Sequence, residues 1–254
     1  MSRATRVIGR CAGFLLMISL WAPAHAHNDG DDVFHFNVSP NGYPPYLIVD
    51  GDRVSGIMWD VMSLILPKLG YELNARKIPR KRVDQMLRKG YIDGTPRARE
   101  WTTDPENFRF TDAIVYVEEV FFFREDSELE YHRPEDLFGK TVVTPLGYIY
   151  PELTTYFQDE RIKRFDVSRD RNMFRYLLHS DRFDAALADR LVGKWIMRQE
   201  GIGGQLRSSS KSISRYGLRL MLRRDNHAFA EAFNRELENA RESGELDRIL
   251  ADYR

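Results

Sequence analysis

Cysteine is almost absent from this sequence: Cys11 is the single one among 254 residues. It lies in a leader in which residues 1–10 carry three arginines and no acid, the run Cys11–Trp21 is apolar, and Ala24–Ala26 reads as a small-x-small cleavage site. The apolar run is far shorter than the roughly 20 residues that cross a bilayer. We therefore expect a cleaved secretory signal peptide at residues 1–26 and a periplasmic product, rather than a retained hydrophobic helix. The mature chain would have no disulfide and would depend on its core for stability.

A surplus of positive charge is also absent. The chain has 38 basic and 38 acidic residues, and removal of the three leader arginines leaves 35 basic residues against 38 acidic ones. Nucleic-acid and anionic-membrane binding need a basic face, so neither partner is expected. No second long apolar segment follows the leader, which predicts a soluble product, and we expect it to be a monomer.

The motifs of common catalytic and cofactor sites are missing as well. The six histidines are scattered without an HExxH pair, no serine lies in a Gly-x-Ser-x-Gly elbow, and the glycines of Gly201–Gly204 have no following Lys-Ser/Thr. His27, Asp29, Asp31 and Asp32 could trap a metal ion, but a solvated tail is the better interpretation. We expect no cofactor, no metal and no enzymatic activity.

The first half of the mature chain alternates strand-like and helix-like segments. Period-2 and β-prone segments predict strands, and a DGD turn between two of them predicts a hairpin. Apolar residues at helical spacing from Met58 to Leu69, ended by Gly70, predict a helix. The predicted strands are 33–38, 46–49, 54–57, 71–78 and 91–95, and a second helix is predicted at 82–89. This β-α-β-α-β order predicts a parallel sheet, which binds ligands at the carboxyl ends of its strands.

The second half repeats this alternation with a different sequence. The run Ile114–Phe123 is apolar and β-prone, and the small polar run Ser208–Ser214 precedes a further strand. Further strands are predicted at 141–144, 165–167, 185–188 and 217–222, with helices at 172–179 and 191–200. An amphipathic helix carrying Phe229, Phe233, Leu237 and Ala240 on one face is predicted near the C-terminus.

In this order, several segments resemble the periplasmic solute-binding proteins of the polar-amino-acid type, the partners of ABC importers. The segments are GYPPYLIVDGDRVSGIMWDVMSLILPKLGYE, KGYIDG, FRFTDAIVY, PEDLFGKTV, RFDAALAD and SGELDRILADY, which span most of Val33–Tyr253. The resemblance implies an α/β, two-lobed periplasmic-binding-protein fold of type II, with two hinge strands and one ligand in the cleft. Lobe one would comprise residues 31–114 and 214–254, and lobe two residues 115–213.

Two positions match the ligand site of the resembled family. Tyr43 matches the aromatic residue that covers the ligand, and Asp189, after the AALA strand, matches the acid that holds an α-amino group. The carboxylate-binding arginine of the family has no counterpart, because its position falls near Asp104. In place of the family's small Ser/Thr pair after the glycine, this sequence has Tyr148 and Ile149 after Gly147. The family's set of α-amino-acid-binding residues is therefore incomplete here. Asp189 could instead cap the helix that follows it.

Arginines provide an alternative anion anchor. Arg97 and Arg99 follow the predicted strand that ends at Thr95, and a guanidinium binds a carboxylate or phosphate bidentately. We expect Arg97, with Arg99 as the second choice, to face the cleft, and Arg80 to lie on its rim. The alternative is that both arginines form surface pairs with Glu100, Asp104 or Glu106, and Pro96 could end the strand between them.

The predicted ligand site therefore combines these arginines with aromatic residues. The full set is Tyr43, Tyr46, Arg80, Thr95, Arg97, Arg99, Gly147, Tyr148, Tyr150 and Asp189. We expect binding of a small anionic or zwitterionic, amino-acid-like solute by hinge closure, with an ABC permease or a membrane receptor as partner. Two alternatives stay open: a ligand-sensing protein of the same fold, and a cyclohexadienyl-dehydratase-like enzyme with Asp189 or Glu152 as the acid.

Overall fold

The computed structural model describes residues 33–253 as a mixed α/β structure. The predicted signal peptide and the acidic N-terminal residues lie outside the described residues. The strands are β1 Val33–Val38, β2 Ile48–Asp50, β3 Arg53–Ser55, β4 Glu72–Lys77, β5 Gly94–Ala98, β6 Phe108–Phe110, β7 Val115–Arg124, β8 Thr141–Pro145, β9 Lys163–Val167, β10 Ala185–Asp189, β11 Leu206–Ser208 and β12 Ser214–Arg223.

Helices alternate with these strands. The α-helices are α1 Ile57–Ile65, α2 Arg80–Arg88, α3 Thr154–Gln158, α4 Asp170–His179, α5 Arg190–Gln199, α6 His227–Glu242 and α7 Glu245–Ala251. Short 3-10 turns occupy Leu66–Leu69, Arg99–Trp101, Pro105–Asn107, Pro134–Leu137 and Pro151–Leu153. Gly70 ends the first of these turns with φ 83°, a left-handed conformation that glycine adopts without a Cβ clash.

One sheet runs through both lobes in the order β4-β1-β5-β12-β7-β10-β8-β9, with β6 added to β12 and β11 to β7. β4, β1 and β5 are parallel, as are β10, β8 and β9. The two long central strands, β7 and β12, run antiparallel to each other and join the two parallel blocks. They are the two hinge strands, so the predicted two-lobed α/β architecture is confirmed.

Each lobe has its own apolar core. In lobe one, buried side chains of β1 and α1 pack with the face of α6 that carries Phe233 and Leu237, which is the amphipathic face predicted from the sequence. In lobe two, successive residues of β7 point to opposite layers: Phe122 packs with Phe174 of α4, whereas Phe121 and Phe123 pack on the other side of the sheet. This period-2 alternation is that of a strand buried on both faces.

The predicted elements are confirmed with small shifts, apart from one strand that carries predicted site residues. β5 begins at Gly94 and ends at Ala98, so Arg97 lies inside the strand and Pro96 does not end it. β5 pairs with β1 at Gly94. Pro96 lies beyond this pair, so its missing N–H does not interrupt the pairing with β1. The sequence reading also missed β6, β11 and α7, which are short. No helix within residues 33–253 is long and apolar enough to cross a membrane.

Candidate functional site

A small cavity lies between the two lobes, beside the hinge strand β7. Tyr43 reaches it from the turn after β1 of lobe one, while β8, α4, β10 and α5 of lobe two form the opposite wall. The lining residues are Tyr43, Glu119, Pro145, Tyr148, Tyr150, Asp170, Met173, Ala188, Asp189 and Val192. The space open to the centre of a water-sized sphere is about 10 Å³, enough for about one water molecule. A larger solute does not fit in this space.

Aromatic rings form the lobe-one side of this cavity. The rings of Tyr43 and Tyr46 are stacked with centroids 5.1 Å apart, and Trp101 meets Tyr43 edge-on at 6.5 Å. Tyr216 of β12 extends the cluster through Trp101 at 6.3 Å. Such offset and edge contacts stabilise the position of each ring. The sequence predicted Tyr43 and Tyr46 here, but nothing in it indicated Trp101 or Tyr216.

Asp189 occupies the end of β10 and performs the structural role that the sequence left open. Its Oδ1 accepts hydrogen bonds from the backbone N–H groups of Leu191 (3.0 Å) and Val192 (2.9 Å), so it caps α5. The same oxygen accepts a bond from the Tyr46 hydroxyl at 2.9 Å, which joins lobe one to lobe two. Oδ2 accepts from the N–H of Glu118 at 2.9 Å. Burial raises the pKa of Asp189, although these hydrogen bonds oppose the rise.

Glu119 is one of the cavity residues that the sequence did not predict. It lies on β7, is only 6% exposed, and lines the cavity. Its cross-strand partner on β10 is Asp189, so the two carboxyl groups are on the same face of the sheet. Burial, together with the smaller effects of the charges of Asp189, Asp170 and Glu152, raises the pKa of Glu119 to about 8. Glu119 is therefore largely protonated near pH 7.

The lobe-two wall adds another acid and two tyrosines. Asp170 begins α4, and its partial burial raises its pKa. Tyr148 and Tyr150 have stacked rings 6.5 Å apart, and burial raises the pKa of Tyr148 to about 12. Burial raises the pKa of Tyr150 as well, and the charge of Glu119 adds to that effect. Both tyrosines remain neutral at physiological pH.

The predicted arginines do not line this cavity. Arg97 is 11% exposed at its side chain and donates to Asp84 of α2 at 3.2 Å, rather than to the acids that the sequence reading named. Burial lowers the pKa of Arg97, Asp84 opposes this, and Arg80 adds to it. Arg99 lies over the ring of Phe110, 5.6 Å from its centroid. Arg80 is exposed at the start of α2, and its charge acts on Tyr148 across the cleft.

The remaining predicted residues lie outside the lining of the cavity. Thr95 is buried in β5, where its hydroxyl accepts a hydrogen bond from Asn37 Nδ2 at 2.9 Å. Gly147 has φ 82° in the exposed turn after β8, which lets the chain reverse before Tyr148. Tyr46 lies behind Tyr43 with its hydroxyl on Asp189. Their direct contact with a ligand stays a prediction.

The chemistry of the cavity is thus that of an acidic, aromatic-walled pocket. Three carboxyl groups line it, from Glu119, Asp170 and Asp189, and the lining contains no lysine, arginine or histidine. Carboxylates and ring faces both attract a cationic group. Within residues 33–253, no group of three or more His, Cys, Asp or Glu residues has the arrangement of a metal site.

The chain is similar to a known protein family and to several solved structures. A family model described as bacterial extracellular solute-binding proteins, family 3, matches residues 37–254. The comparison with curated proteins gives no match. A substrate-binding domain of an amino acid ABC transporter from Streptococcus pneumoniae has a similar structure, with TM-score 0.69, 21% identity, and coverage of 87% of this chain and 99% of that one.

Two further solved structures have the same fold. A histidine kinase sensor domain that resembles periplasmic binding proteins gives TM-score 0.68 at 20% identity, covering 87% of this chain and 95% of that one. An ancestral amino-acid-binding protein, described as a precursor of cyclohexadienyl dehydratase, gives 0.66 at 15% identity with the same coverages. At identities this low, the similarity shows that the fold is shared and shows nothing more.

Proposed function

Because the chain belongs to family 3 of the bacterial extracellular solute-binding proteins, we propose that it captures a small, amino-bearing solute between its two lobes for delivery to an ABC importer. The single observation that carries this proposal is the cavity at the hinge, which both lobes line and which has carboxyl groups and aromatic rings as its walls. Ligand contacts that form only when both lobes meet would stabilise the closed state. The family supports a location outside the cytoplasm.

The sequence predicted an anionic or zwitterionic solute, and the lining of the cavity favours the zwitterionic one. A zwitterion offers an ammonium group to Asp189, Glu119 or Asp170, whereas a pure anion meets three carboxyl groups and no cationic side chain. An anionic ligand beside buried carboxylates is unfavourable when no cation pairs with either of them. The expected ligand therefore carries an amino group, and a purely anionic ligand is not expected.

A thermal-shift screen of the purified chain against amino acids, amines and di- and tricarboxylates tests this function. A ligand that binds only the folded form stabilises it by about 2.7 kcal/mol at a hundred times its Kd. We expect a saturable rise in Tm with amino-bearing compounds, and recovery of the ligand unchanged by mass spectrometry. Absence of any saturable shift across these classes would contradict the proposal.

A single variant tests the anion-anchor role that the sequence predicted for Arg97. Its guanidinium is engaged by Asp84, so Arg97→Ala is expected to lower stability and to leave ligand affinity within about twofold. Calorimetric titration of a ligand found in the screen measures the affinity. A loss of tenfold or more would restore Arg97 to the site, through a rearrangement that frees it from Asp84.

The dehydratase alternative has one observation in its favour. Glu119, with its pKa raised to about 8, has the protonation state of a general acid near neutral pH. Glu152, one of the two acids first considered, does not line the cavity, and Asp189 is occupied as a helix cap. Cyclohexadienyl substrates carry carboxylates, for which the lining has no cationic partner. Release of carbon dioxide from prephenate or arogenate by the purified chain would establish this activity.

A further inference from the structure

Two buried polar atoms at the cavity have no hydrogen-bond partner. Among the buried side-chain atoms of residues 33–253, Glu119 Oε2 and Tyr150 Oη are both unpaired, and both residues line the same space. Glu119 is 6% exposed and Tyr150 is 3% exposed, so bulk water does not satisfy them. Buried polar atoms are nearly always hydrogen-bonded, because leaving one unpaired is costly. The Tyr150 hydroxyl can accept a hydrogen bond as well as donate one, and Glu119 accepts through both oxygens once it gives up its proton, which a neighbouring cation favours. A cationic donor from outside the chain would therefore satisfy both atoms together.

Like charges meet at the same place. Glu119 and Asp189 are directly opposite each other in the antiparallel register of β7 and β10, a position at which two carboxylates repel. Asp170, from the start of α4, adds a third carboxyl group to the lining. The charges of Asp170 and Asp189 both act on Glu119. This repulsion helps to keep Glu119 protonated when the cavity holds no cation, and a cation placed among the three groups would favour the charged form of Glu119.

Arg164 and Arg97 are both paired with acids outside the cavity lining, whereas the exposed Arg80 acts on Tyr148 from outside the lining. Arg164 lies over the ring of Tyr150, 5.6 Å from its centroid, but it pairs with Asp166 at 2.8 Å and donates to the carbonyl of Tyr148. Arg97 pairs with Asp84. The negative charge of the lining is therefore not balanced by a salt bridge with either of these arginines.

We propose that the cleft binds a small solute with at least two protonated amino groups and no required carboxylate, that is, a linear diamine or polyamine, and that Glu119 sets its preference for positive charge. This inference rests on the proposed function and narrows its ligand class. An ammonium group presents several N–H donors, which Glu119 Oε2 and Tyr150 Oη would accept, and the tyrosine rings would attract it through their faces. The carboxylate of an amino acid would find no cationic partner in the lining.

A ligand series of one chain length tests the charge preference directly. The ligands 1,4-diaminobutane, 4-aminobutanoate and butanedioate share four carbons in line and carry charges of about +2, 0 and −2 at neutral pH. Isothermal titration of the purified chain with each compound, and with 1-aminobutane and spermidine, measures their affinities. We expect a diamine or polyamine to bind at least about tenfold more tightly than 4-aminobutanoate, and butanedioate not to bind.

The neighbouring glutamate provides a matched control. Glu118 lies on the same strand but pairs with Arg190 and Arg215, each at 3.2 Å, and does not line the cavity. Glu119→Gln is expected to weaken diamine binding at least about tenfold, or about 1.4 kcal/mol, whereas Glu118→Gln is expected to keep it within about twofold. Tyr150→Phe, which removes the second unpaired oxygen, is expected to weaken binding severalfold. Circular dichroism verifies that each variant is folded.

The results of these titrations distinguish a failure of the diamine preference from a failure of solute binding itself. Tighter binding of 4-aminobutanoate or butanedioate than of the diamines, or full diamine affinity in both Glu119→Gln and Tyr150→Phe, would overturn the diamine inference and leave solute binding intact. Binding of amino acids without binding of any amine would have the same meaning. If neither amines nor amino acids nor carboxylates bind the unaltered chain, the proposed function itself fails.

Discussion

Two adjacent glutamates on β7 show how the faces of one strand separate two kinds of chemistry. Glu118 is half-buried and shared by Arg190 and Arg215, which keeps its charge neutralised. Glu119 points to the opposite face, where the cavity lies and where Asp189 is its neighbour. The same side chain is therefore an ion-pair partner at one position and an unpaired buried acid at the next.

The raised pKa of Glu119 predicts how stability depends on pH. Its pKa is 4.5 as a reference and about 8 in the folded protein, so the folded state holds the proton more tightly. Stability is then highest below about pH 4.5 with respect to this group, and is lost as pH rises through 8. The facing groups are Asp189, Asp170 and Glu152, with Tyr43, Tyr148 and Tyr150 neutral over this range.

Glu119→Gln removes this titration while keeping the shape of the side chain. We expect the Tm of the variant minus that of the unaltered protein to increase between pH 5 and pH 9, because the amide never acquires the unfavourable charge. Thermal unfolding followed by circular dichroism in matched buffers measures the difference. A constant difference across this range would show that Glu119 is not the titrating group. Glu118→Gln should not reproduce the increase.

At the residue scale, the sequence singled out those cavity residues that a local pattern specifies. Tyr43 and Asp189 follow a turn and a strand in recognisable motifs, and both line the cavity. Glu119 was not predicted, because VYVEEVFFF has the pattern of one apolar strand. Which side of that strand faces the cavity depends on where the other lobe packs. Arg97 was expected to face the cleft, but its pairing with Asp84 depends on how α2 lies on β5, which spacing alone does not reveal.

At the scale of elements, α5 links the site to both lobes. Asp189 caps its first turn, Val192 lines the cavity and joins the core of lobe one, and Arg198 near its end donates to the carbonyl of Tyr253 at 2.7 Å. One face of the helix also packs on β7 at Gly193. A Cβ at that glycine would lie 2.1 Å from Phe122 Cζ, so the helix and the strand approach more closely than any other side chain allows.

Gly193→Ala is therefore expected to destabilise the protein. The added methyl group forces Phe122 or α5 to move within a packed core, at a cost of about 1 to 3 kcal/mol. Gly203→Ala is the matched control, since a Cβ there meets nothing within 4 Å. Urea denaturation measures both free energies of unfolding. Equal stability of the two variants would contradict the close packing of α5 on β7.

The elements themselves were predictable where hydrophobic period and glycine or proline punctuation agreed. β1, the β2–β3 hairpin and α6 have this agreement. β5 was misplaced by three residues because Pro96 reads as a strand breaker, although its neighbour β12 pairs along the whole of Gly94–Ala98. The short β6 and β11 exist because β12 and β7 offer them free edges, which is a tertiary cause without a local signal.

At the scale of the whole molecule, the hydrogen bond from the Tyr46 hydroxyl to Asp189 joins residues of the two lobes, and we expect it to favour the closed state. Tyr46→Phe removes it while Asp189 Oδ1 keeps its two backbone donors, so we expect a loss of about 1 kcal/mol from the closed state, or about fivefold in the ratio of closed to open molecules. Small-angle scattering of the ligand-free protein should give a larger radius of gyration. Tyr91→Phe, at an exposed ring, is the control. Identical scattering from both variants would mean that this bond does not hold the lobes together.

The second hinge strand has a consequence for synthesis. β12 is the neighbour of β5 in the sheet, and α6 and α7 supply Phe233, Leu237 and Leu250 to the core that begins with β1. A nascent chain that has emerged only as far as Ser210 already contains β7, β8, β9, β10 and α5, but it lacks the last forty or so residues that complete the earlier lobe. The part of the protein that is made first is thus finished last, and until then one edge of β5 is unpaired and open to other chains.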